Sequence, residues 1–209
     1  MSSQSAYAGT GATGAIGGIG TGGVAWSNPS NITSSDNSYA TVNLSNTDNT
    51  AQVLIATNFS FSLPLHSTIN GVVATFERKA SAADTIRDSH IYLVHNNTLL
   101  GNNKISAPAY WSTTEGDVSF GGPADTWGAT LNHAVVTDSS FGVLTDAIWQ
   151  NVYSGTETAY VDSILITLYY TTNFLCGWTG PGGGANGIGK IYYGSTQVAK
   201  VYYGSTRVA

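Results

Sequence analysis

Twelve acids, four histidines, five tryptophans and one cysteine are the side chains of this 209-residue chain with the most chemistry in reach. His66, His90, His95 and His133 are scattered, and the step of five from His90 to His95 along a strand turns the two to opposite faces, so no zinc-like ligand spacing arises. Glu77, Glu115 and Glu157 offer carboxylates for glycoside hydrolysis, but no local motif marks any two of them as acid and base. Asp162 stands out because it lies inside the apolar run 160–170 (YVDSILITLYY), where an unpaired charge is costly. It is expected to accept backbone or hydroxyl hydrogen bonds at the start of that strand. Calcium is the alternative for Asp162, and for Asp36 and Asp48 in loops, although no DxDxDG spacing supports it. Gly18, Gly20 and Gly23 match a bare GxGxxG string with no strand before it and no helix after it. Cys176 is alone, which excludes an intrachain disulfide. No catalytic residue, metal ligand or cofactor is assigned.

Aromatics are the remaining raw material for a binding site. Trp26, Trp111, Trp127, Trp149 and Trp178 accompany 12 tyrosines, and aromatic ring faces stack on the CH groups of sugars. Trp111 and Trp127 flank the loop 112–126, so they are the pair to expect in a glycan platform. Core packing at the ends of the fold competes for the same two residues.

The elements that must position these groups read as strands. Only 9% of residues are charged, while Ser, Thr and Asn together number 65. Thr, Val, Ile and Tyr suit a pleated surface, the strong helix formers are scarce, and no amphipathic helix is evident. Strands are expected at 38–44, 52–61, 69–78 with a bulge near Gly71, 90–95, 117–120, 133–137, 141–144, 148–153 and 160–170. Such spacing predicts an all-β, antiparallel β-sandwich, with a jelly roll first and an immunoglobulin-like sandwich second. The last run, apolar on both faces, belongs at the centre of a sheet.

Four regions follow: a Gly-rich N-terminal arm (1–25), the sandwich (26–172), a Gly-rich linker (173–189) and a tandem ten-residue repeat (190–209). Residues 1–35 carry no charge, and eight glycines fall between Gly9 and Gly23. At that density the arm is expected to be extended and adaptable, ordered only against a surface, with Ile16, Ile19 and Val24 as apolar pegs. Removing residues 2–23 is then expected to leave a folded body. The tail repeats KIYYGSTQVA and KVYYGSTRVA each read strand, turn, strand, with Ile191, Val198, Val201 and Val208 among Tyr192, Tyr193, Tyr202 and Tyr203. Two units suggest a meander of about three short strands, too small to stand alone in water.

All 12 acids fall between Asp36 and Asp162, giving that stretch a charge of −8, while the tail carries +3. An acidic body argues against nucleic acid as a partner, since phosphate contacts need clustered Lys and Arg. There is no apolar run of about 18 residues and no signal-peptide pattern, which predicts synthesis in a cytoplasm and no membrane partner.

The repeats 190–198 and 200–208 resemble the short strand repeats at the ends of tailed-bacteriophage virion proteins. The body is similar to phage structural proteins of jelly-roll type at Trp26-Ser-Asn-Pro-Ser-Asn-Ile32, Thr126-Trp127-Gly128, Ser140-Phe141-Gly142-Val143 and the closing run 161–170. The resemblance implies a non-enzymatic virion component: a capsid decoration or cement protein, a head fibre or a tail accessory protein, commonly a trimer. Its partners would be further copies of itself and the major capsid protein or a tail- or portal-associated protein. A carbohydrate- or receptor-binding module using Trp111 and Trp127, with a surface glycan as ligand, is the alternative.

Overall fold

The computed structural model describes residues 1–107, 109–150 and 155–172, together with the backbone of four dipeptide strands in the tail. Cys176, Trp178, the linker 173–189, and Ile191, Val198, Val201 and Val208 of the repeat lie outside the described residues.

The chain is an all-β sandwich. One five-stranded sheet holds β1 (Ser2–Tyr7), β3 (Ala40–Ser45), β5 (Ser67–Ala80), β9 (Gly116–Gly122) and β12 (Thr156–Thr172), in the order β1-β12-β5-β9 with β3 also on β12. The other holds β2 (Thr10–Gly14), β4 (Val53–Thr57), β7 (Ile91–His95), β8 (Thr98–Leu100) and β10 (Gly142–Thr145), in the order β2-β4-β10-β7-β8. Every strand pairing within these two sheets is antiparallel. Most successive strands switch sheets, so the crossovers stitch the two layers together. A small ladder of β6 (Ile86–Arg87) with β11 (Ile148–Trp149) lies apart from both.

The main core is one cluster between the sheets. Val72, Ala74 and Phe76 of β5 and Ile164, Ile166 and Leu168 of β12 meet Leu54, Ala56, Leu93 and Val143 of the second sheet. These side chains are fully buried, each stabilising the fold by roughly 1–3 kcal/mol. The central position expected of the last strand is observed: β5 runs along one edge of β12, while β1 and β3 share the other. The irregularity expected at Gly71 is present as a register shift opposite Tyr169/Tyr170.

Three expectations are corrected. Residues 133–137 are not a strand; His133–Val136 is a single α-helical turn, because the Asn132 side chain accepts from the Val135 amide at 3.0 Å. That cap overrides the strand preference of the two valines. The N-terminal arm is extended, but it does not wait for a neighbour. β1 pairs with β12 from Ser2↔Tyr170 to Tyr7↔Leu165, and β2 pairs with β4 from Thr10↔Thr57 to Gly14↔Val53. Ile16 and Ile19 then bridge to each other over the outer face of the second sheet, where Ile16 is buried with Val53, Val94 and Leu144. Val24 pairs with Ala51 and packs on the main core. Backbone hydrogen bonds to two waiting sheet edges supply the order that glycine-rich sequence lacks. The pegs are therefore occupied within their own chain.

Among its described residues, the repeat pairs as two hairpins rather than as a three-stranded meander. β13 (Tyr192–Tyr193) pairs with β14 (Thr196–Gln197), and β15 (Tyr202–Tyr203) pairs with β16 (Thr206–Arg207). Each unit closes on itself because only two residues separate the paired tyrosine and threonine, the spacing of the tightest hairpin loops.

Candidate functional site

Two groups of side chains meet where β5, β9 and β12 run side by side, one on each face of the sheet. On the inner face Arg78 points into the sandwich beside Phe76. Its guanidinium grips both oxygens of Asp88, one through Nη2 at 2.7 Å, and Thr145 donates to the same carboxylate at 3.1 Å. The Trp111 ring lies 4.3 Å from the guanidinium carbon. A cleft of about 500 Å³ opens above this pair at the β9 edge, walled by Ile105, Val118 and Phe120 and rimmed by Tyr110, Glu115 and Asp117. Tyr110 is 45% exposed, while Arg78 Nε and Trp111 Nε1 are buried donors without a partner.

On the outer face, the alternation of β5 turns Glu77 and Lys79 away from the core. Lys79 Nζ lies 2.6 Å from Glu115 Oε2 and 2.7 Å from the Tyr39 hydroxyl, and Tyr39 donates to the same Glu115 oxygen. Glu77 accepts from Ser163 at 3.0 Å. Asp162 completes the group through an irregularity in β12: Val161 pairs with Arg78 and Ser163 with Glu77, leaving Asp162 as the extra residue of a bulge. The bulge reverses the strand's alternation. Ala159 and Val161 face the core before it, and Ile164, Ile166 and Leu168 after it. The sequence's single two-fold pattern from Tyr160 to Tyr170 is thus broken at the residue that carries the charge.

Carboxylate oxygens of Glu77, Glu115 and Asp162 lie within 4.8 Å of one another. Asp162 is 1% exposed, and its Oδ1 has no hydrogen-bond partner. Burial pushes its carboxyl above the ordinary value, against the backbone amides of Asn37 and Asp36, with the Glu77 and Glu115 charges adding to the upward push. A raised folded value means that its charge weakens the fold as pH rises through that value. Burial also pushes Glu115 up, but hydrogen bonds from Lys79 and Tyr39 outweigh it and hold this carboxyl below its ordinary value. The same contacts hold Lys79 above its own.

The residues singled out in the sequence are placed as follows. Trp111 and Trp127 are 4% and 0% exposed, so neither offers a ring face to a sugar. Trp127 fills the sandwich end and donates to the Val72 carbonyl at 3.0 Å, its backbone turned to φ 61°. His90 is held by Asp146 at 2.6 Å, His95 lies 3.8 Å from Asp138, and His133 faces the Leu63 carbonyl at 3.1 Å. Glu157 accepts from Ser81, away from the other two glutamates. Among the described residues, Glu77, Glu115 and Asp162 are the only group of three ligating side chains drawn together. Asp162 was visible in the sequence as an acid in an apolar strand, whereas Tyr39, Lys79 and the Arg78–Asp88 pair left no motif. Compared with known protein families, with curated proteins and with solved structures, the chain matches none.

Proposed function

We propose that this chain is a non-enzymatic structural component of a tailed-bacteriophage virion, with a jelly-roll body attached to the capsid or tail and self-associating as a trimer. The observation that carries this reading is the pair of tail hairpins. Each has two paired residues per strand, and among the described residues each pairs only within its own unit. Ladders so short do not hold their shape in water, and further strands or another surface must complete them. Strands from other copies of the chain meet that need with closed symmetry. The attachment role first given to Ile16, Ile19 and Val24 passes to the tail, because those residues pack against their own sandwich. The +3 charge of the tail also suits an acidic partner surface. Measuring the oligomeric mass of the intact chain and of a chain ending at Thr172 tests the reading. A trimer that becomes a monomer supports it, and an intact chain that is monomeric at micromolar concentration refutes self-association.

A second reading, glycan binding, is favoured by the cleft at the β9 edge, with exposed Tyr110 above two unpartnered donors. It moves the aromatic platform from Trp111 and Trp127 to Tyr110. Binding on a glycan array that disappears in Tyr110→Ala, with the melting temperature unchanged, is its signature.

A further inference from the structure

We propose that Glu77, Glu115 and Asp162 form a calcium site on the outer face of the first sheet. Three features support it independently of the assembly reading.

The first is an unmet need. Asp162 is 1% exposed and Oδ1 has no donor. The amides of Asn37 and Asp36 compensate only part of this buried carboxylate, and its unpartnered oxygen calls for a cation or a proton. No neighbouring cation is free to serve it. Lys79 is engaged by Glu115 and Tyr39, and Arg78 is engaged on the opposite face by Asp88.

The second is charge. Three carboxylates set against the one ammonium of Lys79 leave a local charge of −2, which one divalent ion neutralises. The hydrogen bonds that Glu115 accepts from Lys79 and Tyr39 both fall on Oε2, and among the described residues none falls on Oε1.

The third is size and chemistry. Calcium takes six to eight oxygens at about 2.3–2.6 Å in flexible geometry, whereas magnesium demands near-ideal octahedral geometry at about 2.0–2.1 Å. Three carboxylate oxygens within 4.8 Å of one another, brought together from three separate segments, suit the more flexible ion. All three donors are hard oxygens, which suits calcium better than a thiolate- or imidazole-seeking metal.

A bound ion would tie together parts of the chain that are distant in sequence: the bulge in β12, the C-terminal part of β5, the turn leading into β9, and the segment 36–39, which supplies two amides to Asp162 and the Tyr39 hydroxyl to Glu115. It would act as a structural clamp on the body and leave the tail untouched.

The test uses the full chain, stripped with EDTA and dialysed at pH 7.5. Addition of 1 mM calcium chloride should raise the melting temperature by about 5 °C or more if the dissociation constant is near 10 μM, with magnesium giving a smaller shift. Titration calorimetry should report one calcium per chain. Asp162→Asn and Glu77→Gln should each weaken calcium binding at least tenfold. In EDTA, Asp162→Asn should melt no lower than the wild type, because it removes the buried charge while keeping the shape. If Asp162→Asn does not fold, Glu77→Gln decides alone, since Glu77 is partly exposed and its Ser163 contact survives in the amide. Absence of any calcium-dependent shift or heat in the wild type overturns the proposal and leaves a proton on Asp162. Wild-type affinity in Glu77→Gln overturns it by placing the ion elsewhere.

Discussion

The two ends of this chain have similar composition and different pairings among the described residues. Both are rich in glycine and free of acids, and neither has enough apolar surface to order itself. The N-terminal segment meets two open sheet edges, one at β12 and one at β4, and becomes a strand of each sheet. The C-terminal repeats have, among the described residues, only the short pairing within each unit. The difference teaches that glycine content sets how readily a segment adapts, whereas an available backbone edge decides whether it is ordered at home or elsewhere.

The most severe way to break this comparison is to delete residues 2–14. Loss of β1 and β2 opens both sheet edges, removes Ala8 from the core and uncovers Ile32 beside Gly11, so the body should lose its cooperative melt and its near-ultraviolet circular dichroism. Retention of a sharp melt would make the N-terminus equivalent to the tail after all. A smaller perturbation is Ile16→Ala, which removes the lid over Val53, Val94 and Leu144 and should cost about 2–4 kcal/mol in urea unfolding. Gly11→Ala tests the same seam from the backbone side. A Cβ there would sit 1.9 Å from the Pro29 carbonyl oxygen, and the required shift should cost about 1–3 kcal/mol.

Acid separates the two ends more gently. The folded Glu115 carboxyl lies below its ordinary value of 4.5, so its contribution is complete above that pH and is lost as pH falls through the folded value. Glu115→Gln should flatten this acid limb of the body's stability by no more than about 1 kcal/mol, measured by urea unfolding at pH 6, 4 and 3. The tail carries no Asp or Glu, so its assembly should not share that limb. The smallest effect is expected from ending the chain at Thr172: the body's melting temperature should stay within about 2 °C once association is accounted for, because no described residue of the body pairs with a tail strand.

Much of the body was legible because alternation is a local property. Residues 38–44, 69–78, 90–95 and 160–170 announced strands by their pattern, observed at Ala40–Ser45, Ser67–Ala80, Ile91–His95 and Thr156–Thr172, and the low charge with abundant Thr and Tyr announced an all-β chain. The turn at 133–136 was misread because a capping asparagine outweighed two β-branched residues within a single turn. The arm was misread because its order comes from hydrogen bonds to strands distant in sequence, from Gly14↔Val53 to Ser2↔Tyr170. Trp111 and Trp127 had the right composition for a platform, but burial is decided by what folds over a ring.

By itself, the sequence determined the β class, the acidic body, the central last strand and the repeated tail, since each depends on composition or on spacing along the chain. Only the tertiary structure decided that Asp162 sits on a bulge, that Glu77 and Glu115 approach it from different segments, and that the N-terminus completes both sheets. Those facts depend on register between strands distant in sequence. A shift of one residue moves a carboxylate from one face to the other, and no local pattern records that choice.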